Sequence, residues 1–240
     1  LSGLPDLSII IPVLNEAAGI VNSLQALASL RRCGVEVIVV DGGSSDATRE
    51  LASPLADQVL TAPRGRASQM NVGAAFARGR VLMFLHADTV LPENAPPLVA
   101  QILDLRDGGR HRGRYWGRFD VRIAGRSPWL RLVATMMNWR SRLTGVATGD
   151  QAMFVSRSAF QSVGGFPDIP LMEDIALSSA LLKLGRPVCL TARVTTSGRR
   201  WEAHGVWRTI LFMTWLRLRY FLGVDPHRLA REYGYVPRDS

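Results

Sequence analysis

The apolar residues at the start of this chain fall in short, nearly unbroken runs. Leu7 to Val13 (LSIIIPV) and Val35 to Val40 (VEVIVV) are rich in β-branched residues and too short for helices. Each therefore predicts a strand buried on both faces. Val59 to Thr61 and Arg80 to Leu85 predict a third and a fourth strand. Between the runs the spacing becomes helical. Ile20, Leu24, Leu27 and Leu30 predict a helix over Ala17 to Leu30, and Ser45 or Asp46 caps a short helix through Leu51. Ala67 to Arg78 reads as a further helix stopped by Gly79.

Four alternations of strand and helix imply an α/β fold, with a mostly parallel central sheet flanked by helices. Ligands of such sheets bind beyond the carboxyl ends of the strands. Asn15, Glu16, Asp41 and Asp88 all stand just past predicted strand ends, which predicts one shared site. After Pro92 the rhythm changes. A basic, Gly-rich loop over Arg106 to Arg118 precedes a strand at Phe119 to Ile123 and a helix from Pro128 to Leu143. Met153 to Val155 and Val188 to Val194 predict strands, with a helix from Glu173 to Leu184 between them. With no repeat and no linker, residues 1–240 read as a single domain. Its first half covers about 7–90, its second about 91–205, and an amphipathic helix closes it over 206–224.

That last segment, VWRTILFMTWLRLRYFLGV, resembles a membrane span until its charges are counted. Arg208, Arg217 and Arg219 leave too short a charge-free core to cross a bilayer. Trp207, Leu211, Thr214, Leu218 and Leu222 share one stripe at helical pitch. The expectation is that this stripe buries against protein, either its own domain near Leu130, Val133 and Met137 or a second subunit in a homodimer. A helix lying on a membrane surface, its arginines snorkelling to headgroups, has the same arrangement.

Composition narrows the partners. The hydrophobic fraction of 47% with 20% charged residues is that of a globular protein. Two cysteines, Cys33 and Cys189, and an opening without a basic, apolar leader predict a reducing, cytoplasmic setting. The net charge of +9 is carried by arginine, Lys183 being the single lysine, and arginine suits phosphate. There is no zinc-finger spacing and no aromatic RNA-binding signature, so nucleic acid is not an expected partner. The turn after the first strand reads Pro12-Val13-Leu14-Asn15-Glu16, which cannot form a Gly-x-Gly-x-x-Gly turn, and no Gly-Lys-Ser/Thr occurs. A phosphate here must be held by arginine, by a metal, or by both.

The segments IIIPVLNE, VVDGGSSDAT, GRASQMNVGAAFARG, FLHADT, SVGGF and LMEDIALS, in this order, resemble the family 2 glycosyltransferases of GT-A fold. The resemblance covers about Leu7 to His204. PRGRASQMN, FLHADT, TGDQAMF and SGRRWEAHG are most similar to a small bacterial subgroup named for arsenosugar biosynthesis. The resemblance implies an inverting transfer of a sugar from a nucleotide diphosphate donor, UDP-linked, to an acceptor hydroxyl. It further implies that Pro12, Leu14, Glu16 and Asp41 hold nucleobase and ribose, and that Arg66 and Asn71 lie on the donor segment.

The same resemblance places Mg²⁺ or Mn²⁺ on Asp88, the last residue of the family's Asp-x-Asp. Here His86 replaces the first Asp, with Ala87 between them in the donor site. An imidazole can donate to a ribose oxygen or ligate a borderline metal. His204 is the matching second metal ligand. Arg200 and Trp201, beside Arg199, would close over the diphosphate, and Asp150 would hold the donor sugar or acceptor. Asp174 is the implied general base, with Glu173 supporting it. Ser197 stands where processive synthases carry Gln, which argues against polymer synthesis. The altered triplet leaves a rival reading, a protein that binds a nucleotide sugar without turnover. A second alternative is a transferase acting on a lipid-linked acceptor at the membrane surface.

Overall fold

The structure is a computed structural model that describes residues 6–92, 98 and 115–235. The described strands are β1 (Leu7–Val13), β2 (Glu36–Asp41), β3 (Gln58–Thr61), β4 (Val81–Phe84), β5 (Thr89–Val90), β6 (Trp116–Ala124), β7 (Met153–Ser156) and β8 (Val188–Ser197). They form one sheet in the order β3-β2-β1-β4-β7-β6-β8-β5. The pairs β1–β2, β1–β4, β2–β3 and β6–β8 are parallel, and the pairs made by β7 and β5 are antiparallel. The sheet is thus mixed, though mostly parallel.

The apolar runs do what their composition requires. Ile9, Ile11, Val37, Val39, Val81 and Met83 join one buried cluster, while Ile10, Ile38, Val40, Leu82 and Phe84 join another. Successive side chains point to opposite faces of a sheet, so a run without polar gaps must be covered on both. Helices α1 (Ile20–Gln25), α2 (Ala28–Arg32) and α5 (Trp129–Thr144) supply the first cluster. Helices α4 (Arg66–Phe76), α6 (Arg157–Ser162) and α7 (Glu173–Leu182) supply the second. The remaining helices are α3 (Thr48–Ala52), α8 (Arg199–His204), α9 (Val206–Phe221) and α10 (Pro226–Glu232).

Several boundaries differ from the expectation. The helix expected over 17–30 is two, because the N–H of Leu27 reaches back only three residues to Leu24, tightening the turn there. All four of its apolar anchors are still buried. Gly79 does not cap α4, which ends at Phe76 before the extended Ala77. A Cβ on Gly79 would lie 2.5 Å from the Ser8 nitrogen, so the glycine is there for close approach to β1. The expected basic loop lies largely outside the described residues. Its last residues instead begin β6, where the guanidinium of the fully buried Arg118 pairs with Asp120.

Helix α9 docks by a face the sequence did not single out. Leu216 is fully buried with Leu171, Met172 and Ile175, and Phe212, Met213 and Tyr220 pack beside it. The expected stripe points outward instead: Trp207, Leu211, Leu218 and Leu222 are 52%, 70%, 51% and 72% exposed. Within this chain the expectation of a stripe buried against Leu130, Val133 and Met137 is wrong. Those three residues are buried under α5 without it.

Candidate active site

A cleft of about 370 Å³ opens beyond the carboxyl ends of β1 and β4. Its first wall comes from Pro12, Leu14 and Glu16 after β1 and from His86, Ala87 and Asp88 after β4. Arg66 enters from the start of α4, Asp150 from the turn before β7, and Glu173 and Asp174 from the start of α7. Arg200 and Trp201 from α8 complete the set that the sequence brought forward.

Two loops of the first wall are fastened together. The N–H of Asn15 donates to Ser44 Oγ at 2.8 Å, and Asn15 Oδ1 accepts from the N–H of Ser45 at 2.8 Å. The Glu16 N–H donates to Thr48 Oγ1, and the Ala17 N–H to Asp46. This explains where Asp41 sits. Only 1% exposed, its carboxylate accepts from the N–H groups of Gly43 and Ser44 and from the Ser44 hydroxyl. It shapes the loop after β2 and does not line the cleft. Gln69 performs a related task, donating to the carbonyls of Val13 and Val40 at 2.8 and 2.7 Å.

Two other expected residues also lie outside. Asn71 is held in a reciprocal pair with the backbone of Phe166, at 2.8 and 3.0 Å, which occupies both ends of its amide. His204 is exposed at the end of α8, its Nδ1 3.1 Å from the Arg200 carbonyl. It does not line the cleft. His86 lies against the turn before β7: its Nδ1 lies 3.5 Å from Asp150 Oδ1, and a Cβ on Gly149 would collide with its Nε2. The imidazole bridges the two halves of the sheet edge.

Carboxylates dominate the electrostatics. Burial pushes the Glu16 carboxyl up, and the negative charge of Asp88 pushes it further, against Arg199 and Arg66. Burial also acts upward on Asp150, but His86, Arg66 and Arg217 outweigh it and hold that carboxyl below the usual range. Glu173 is pushed up to about 7 by burial and by neighbouring Asp174, with Arg66 Nη1 only 4.0 Å from its Oε1. Asp174 Oδ2 accepts from the Gly149 N–H at 2.9 Å, and Oδ1 from the N–H of Ile175 at 2.7 Å. Met172, just before this pair, has a φ of 71°, a left-handed backbone that a non-glycine residue adopts at a cost.

The donor set fits a hard divalent cation. Asp88 is an exposed carboxylate in the cleft wall, and the mutual repulsion of Glu16 and Asp88 would be relieved by a positive charge between them. Among the described residues no three His, Cys, Asp or Glu side chains form a ready cage. A cation held by Asp88 would take most of its oxygens from a ligand and water, as Mg²⁺ commonly does.

The second half adds residues the sequence did not offer. Arg217 and Met213 of α9 line the cleft, as do Tyr233 and Tyr235 beyond α10. The Arg200 guanidinium lies 3.8 Å from the Tyr233 ring centre, and that of Arg64 5.6 Å from Tyr235. A cation stacked on a ring keeps its N–H edges free for an anion. The visible signal was the REYGY stretch close behind an arginine-rich helix, but nothing local ties it to the sheet edge.

Comparison with known proteins gives the family and the fold. The model of glycosyl transferase family 2 matches residues 8–164. The chain belongs to that family. It is 27% identical over 228 residues to the probable glycosyltransferase YdaM of Bacillus subtilis, covering 85% of this chain and about half, 53%, of that protein. S. aureus TarS in complex with UDP-GlcNAc superposes with a TM-score of 0.64 at 18% identity, over 80% of this chain and 58% of that one. Glucosyl-3-phosphoglycerate synthase from Mycobacterium tuberculosis, crystallised with Mn²⁺, UDP and phosphoglyceric acid, gives 0.58 at 21%, over 81% and 70%. These structures establish the GT-A fold for this family member.

Proposed function

We propose that this glycosyltransferase moves a hexosyl group from a UDP-linked donor to an acceptor hydroxyl, with inversion and with Mn²⁺ or Mg²⁺ at Asp88. The observation that carries the reading is the meeting, across one cleft, of Asp88 and Glu16 from the first half with Glu173 and Asp174 from the second. Arg64, Arg66 and Arg200 lie in the same wall. A bound divalent ion would neutralise the departing diphosphate. The arginines hold the phosphate oxygens and Pro12 and Leu14 flank the base. The UDP and Mn²⁺ in the cited solved structures support the choice of donor and metal. PRGRASQMN and SGRRWEAHG support kinship with the arsenosugar subgroup.

Asp174 is the base in this reading. Its two backbone hydrogen bonds fix the carboxylate in the cleft and leave lone pairs for an acceptor hydroxyl. Glu173 is a second reading, favoured by its carboxyl at about 7, a suitable poise for a proton acceptor near neutrality. Asp174→Asn and Glu173→Gln separate them. The base variant should lose on the order of 10²–10⁴ in turnover while UDP affinity holds. If neither variant loses turnover, both assignments fail.

The whole reading is tested by thermal shift with UDP, with and without Mn²⁺, followed by donor turnover. UDP should stabilise more with metal, and Asp88→Ala should abolish the metal's increment. Equal shifts with and without metal in the unaltered protein would exclude a metal bridge. Tight binding without any turnover would favour the silent binder.

A further inference from the structure

The large exposed apolar side chains of this protein are concentrated on two neighbouring helices. On α5 they are Trp129, Leu132, Met136, Trp139 and Leu143, from 42% to 65% exposed. On α9 they are Trp207, Leu211, Trp215, Leu218 and Phe221, from 51% to 70% exposed, with Leu222 just beyond at 72%. The two stripes touch where the rings of Trp129 and Trp207 meet at 4.9 Å. A contiguous surface of this kind marks an interaction site.

Its charges indicate the occupant. No Asp or Glu occurs between Asp120 and Asp150, or between Glu202 and Asp225. Arg142 pairs with Asp120 and Arg219 with Glu232, while Arg122, Arg126, Arg131 and Arg208 stay exposed. A second copy related by a two-fold axis would set arginine against arginine. An anionic surface with an apolar interior satisfies both features, and indole rings favour that boundary. Among the described residues no helix is long and apolar enough to cross a membrane, so contact would be peripheral.

We propose that the outer faces of α5 and α9 dock on an anionic lipid bilayer, the stripes entering the headgroup region and the arginines meeting lipid phosphates. The inner faces of the same helices supply Met137, Thr209, Met213 and Arg217 to the cleft. Docking would therefore bring the cleft beside the headgroups. This surface does not depend on the reading of the catalytic residues.

The test is cosedimentation of the full chain with phosphatidylcholine vesicles and with vesicles of phosphatidylglycerol and phosphatidylcholine, at physiological salt. The expected result is retention by the anionic vesicles, and partitioning about tenfold or more weaker for Leu211→Ser/Trp215→Ser, whose apolar area no longer inserts. Neither side chain lines the cleft, so the UDP thermal shift of that variant should be unchanged. A missing shift in the unaltered protein would count against the proposed function and not against the surface. Failure to bind anionic vesicles overturns the proposal. So does retention that the double variant does not weaken, which would reflect net charge alone. A dimer by analytical ultracentrifugation that the double variant dissolves would also overturn it, by assigning the face to a second copy.

Discussion

Glu173 is 5% exposed and bears a carboxyl at about 7, raised by burial and by Asp174. An acid whose pKa rises on folding holds its proton more tightly folded than unfolded. Its contribution to stability is full below about 4.5, the unfolded value, and is lost as pH rises through about 7. Glu173→Gln carries no charge at any pH. Its melting temperature should therefore gain on the unaltered protein above about pH 7 and show little gain below about pH 4.5. A constant difference across that range would show that Glu173 does not titrate there. The residue types at strand ends were legible in the sequence, but their availability was not. Asp41 and Asn71 have the chemistry of ligand contacts, yet backbone N–H and C=O groups engage them. Those partners are local for Asp41 and 95 residues distant for Asn71. His86 likewise meets Asp150 only because β7 returns beside β4.

Whole elements were easier to read than their partners. β1, β2 and β4 are buried on both faces and follow directly from their runs. For α9 the period was right and the buried face wrong, because an apolar stripe says which residues avoid water and not what covers them. Leu216 and Met213 lie off the stripe and were drawn inward by Leu171 and Ile175, of a segment 38 to 45 residues earlier. Strand contacts make a sharper prediction at Gly117 in β6. A Cβ there would lie within 2.5 Å of Phe154 Cζ and collide with the Val188 carbonyl, a backbone atom that cannot rotate away. Gly117→Ala should lower stability by about 1–3 kcal/mol, read from urea unfolding at unchanged slope. Gly164→Ala meets no atom within 4 Å, but its φ of 81° predicts a smaller loss of about 1 kcal/mol.

Across the molecule, the two halves named from the sequence are not separable bodies. β7, made late, lies between β4 and β6, pairing Val81 with Ser156 and Phe84 with Met153. Phe84 also packs against Phe160 and Phe166 at 5.3 and 4.8 Å. A fragment ending at Leu91 would expose the β4 edge and that aromatic cluster. It should be recovered as aggregate, whereas coexpression with residues 92–240 should return part of it to solution. A soluble, monomeric fragment would show that the first half completes its own core. The same pairing governs how the polypeptide fares while it is being made. The ribosome delivers β4 well before the strand that seals it, and at about 5–20 residues per second the gap lasts on the order of ten seconds. For that interval the nascent chain carries an open, apolar strand edge, so its yield should depend on holdase capacity and on translation speed between Phe84 and Ser156.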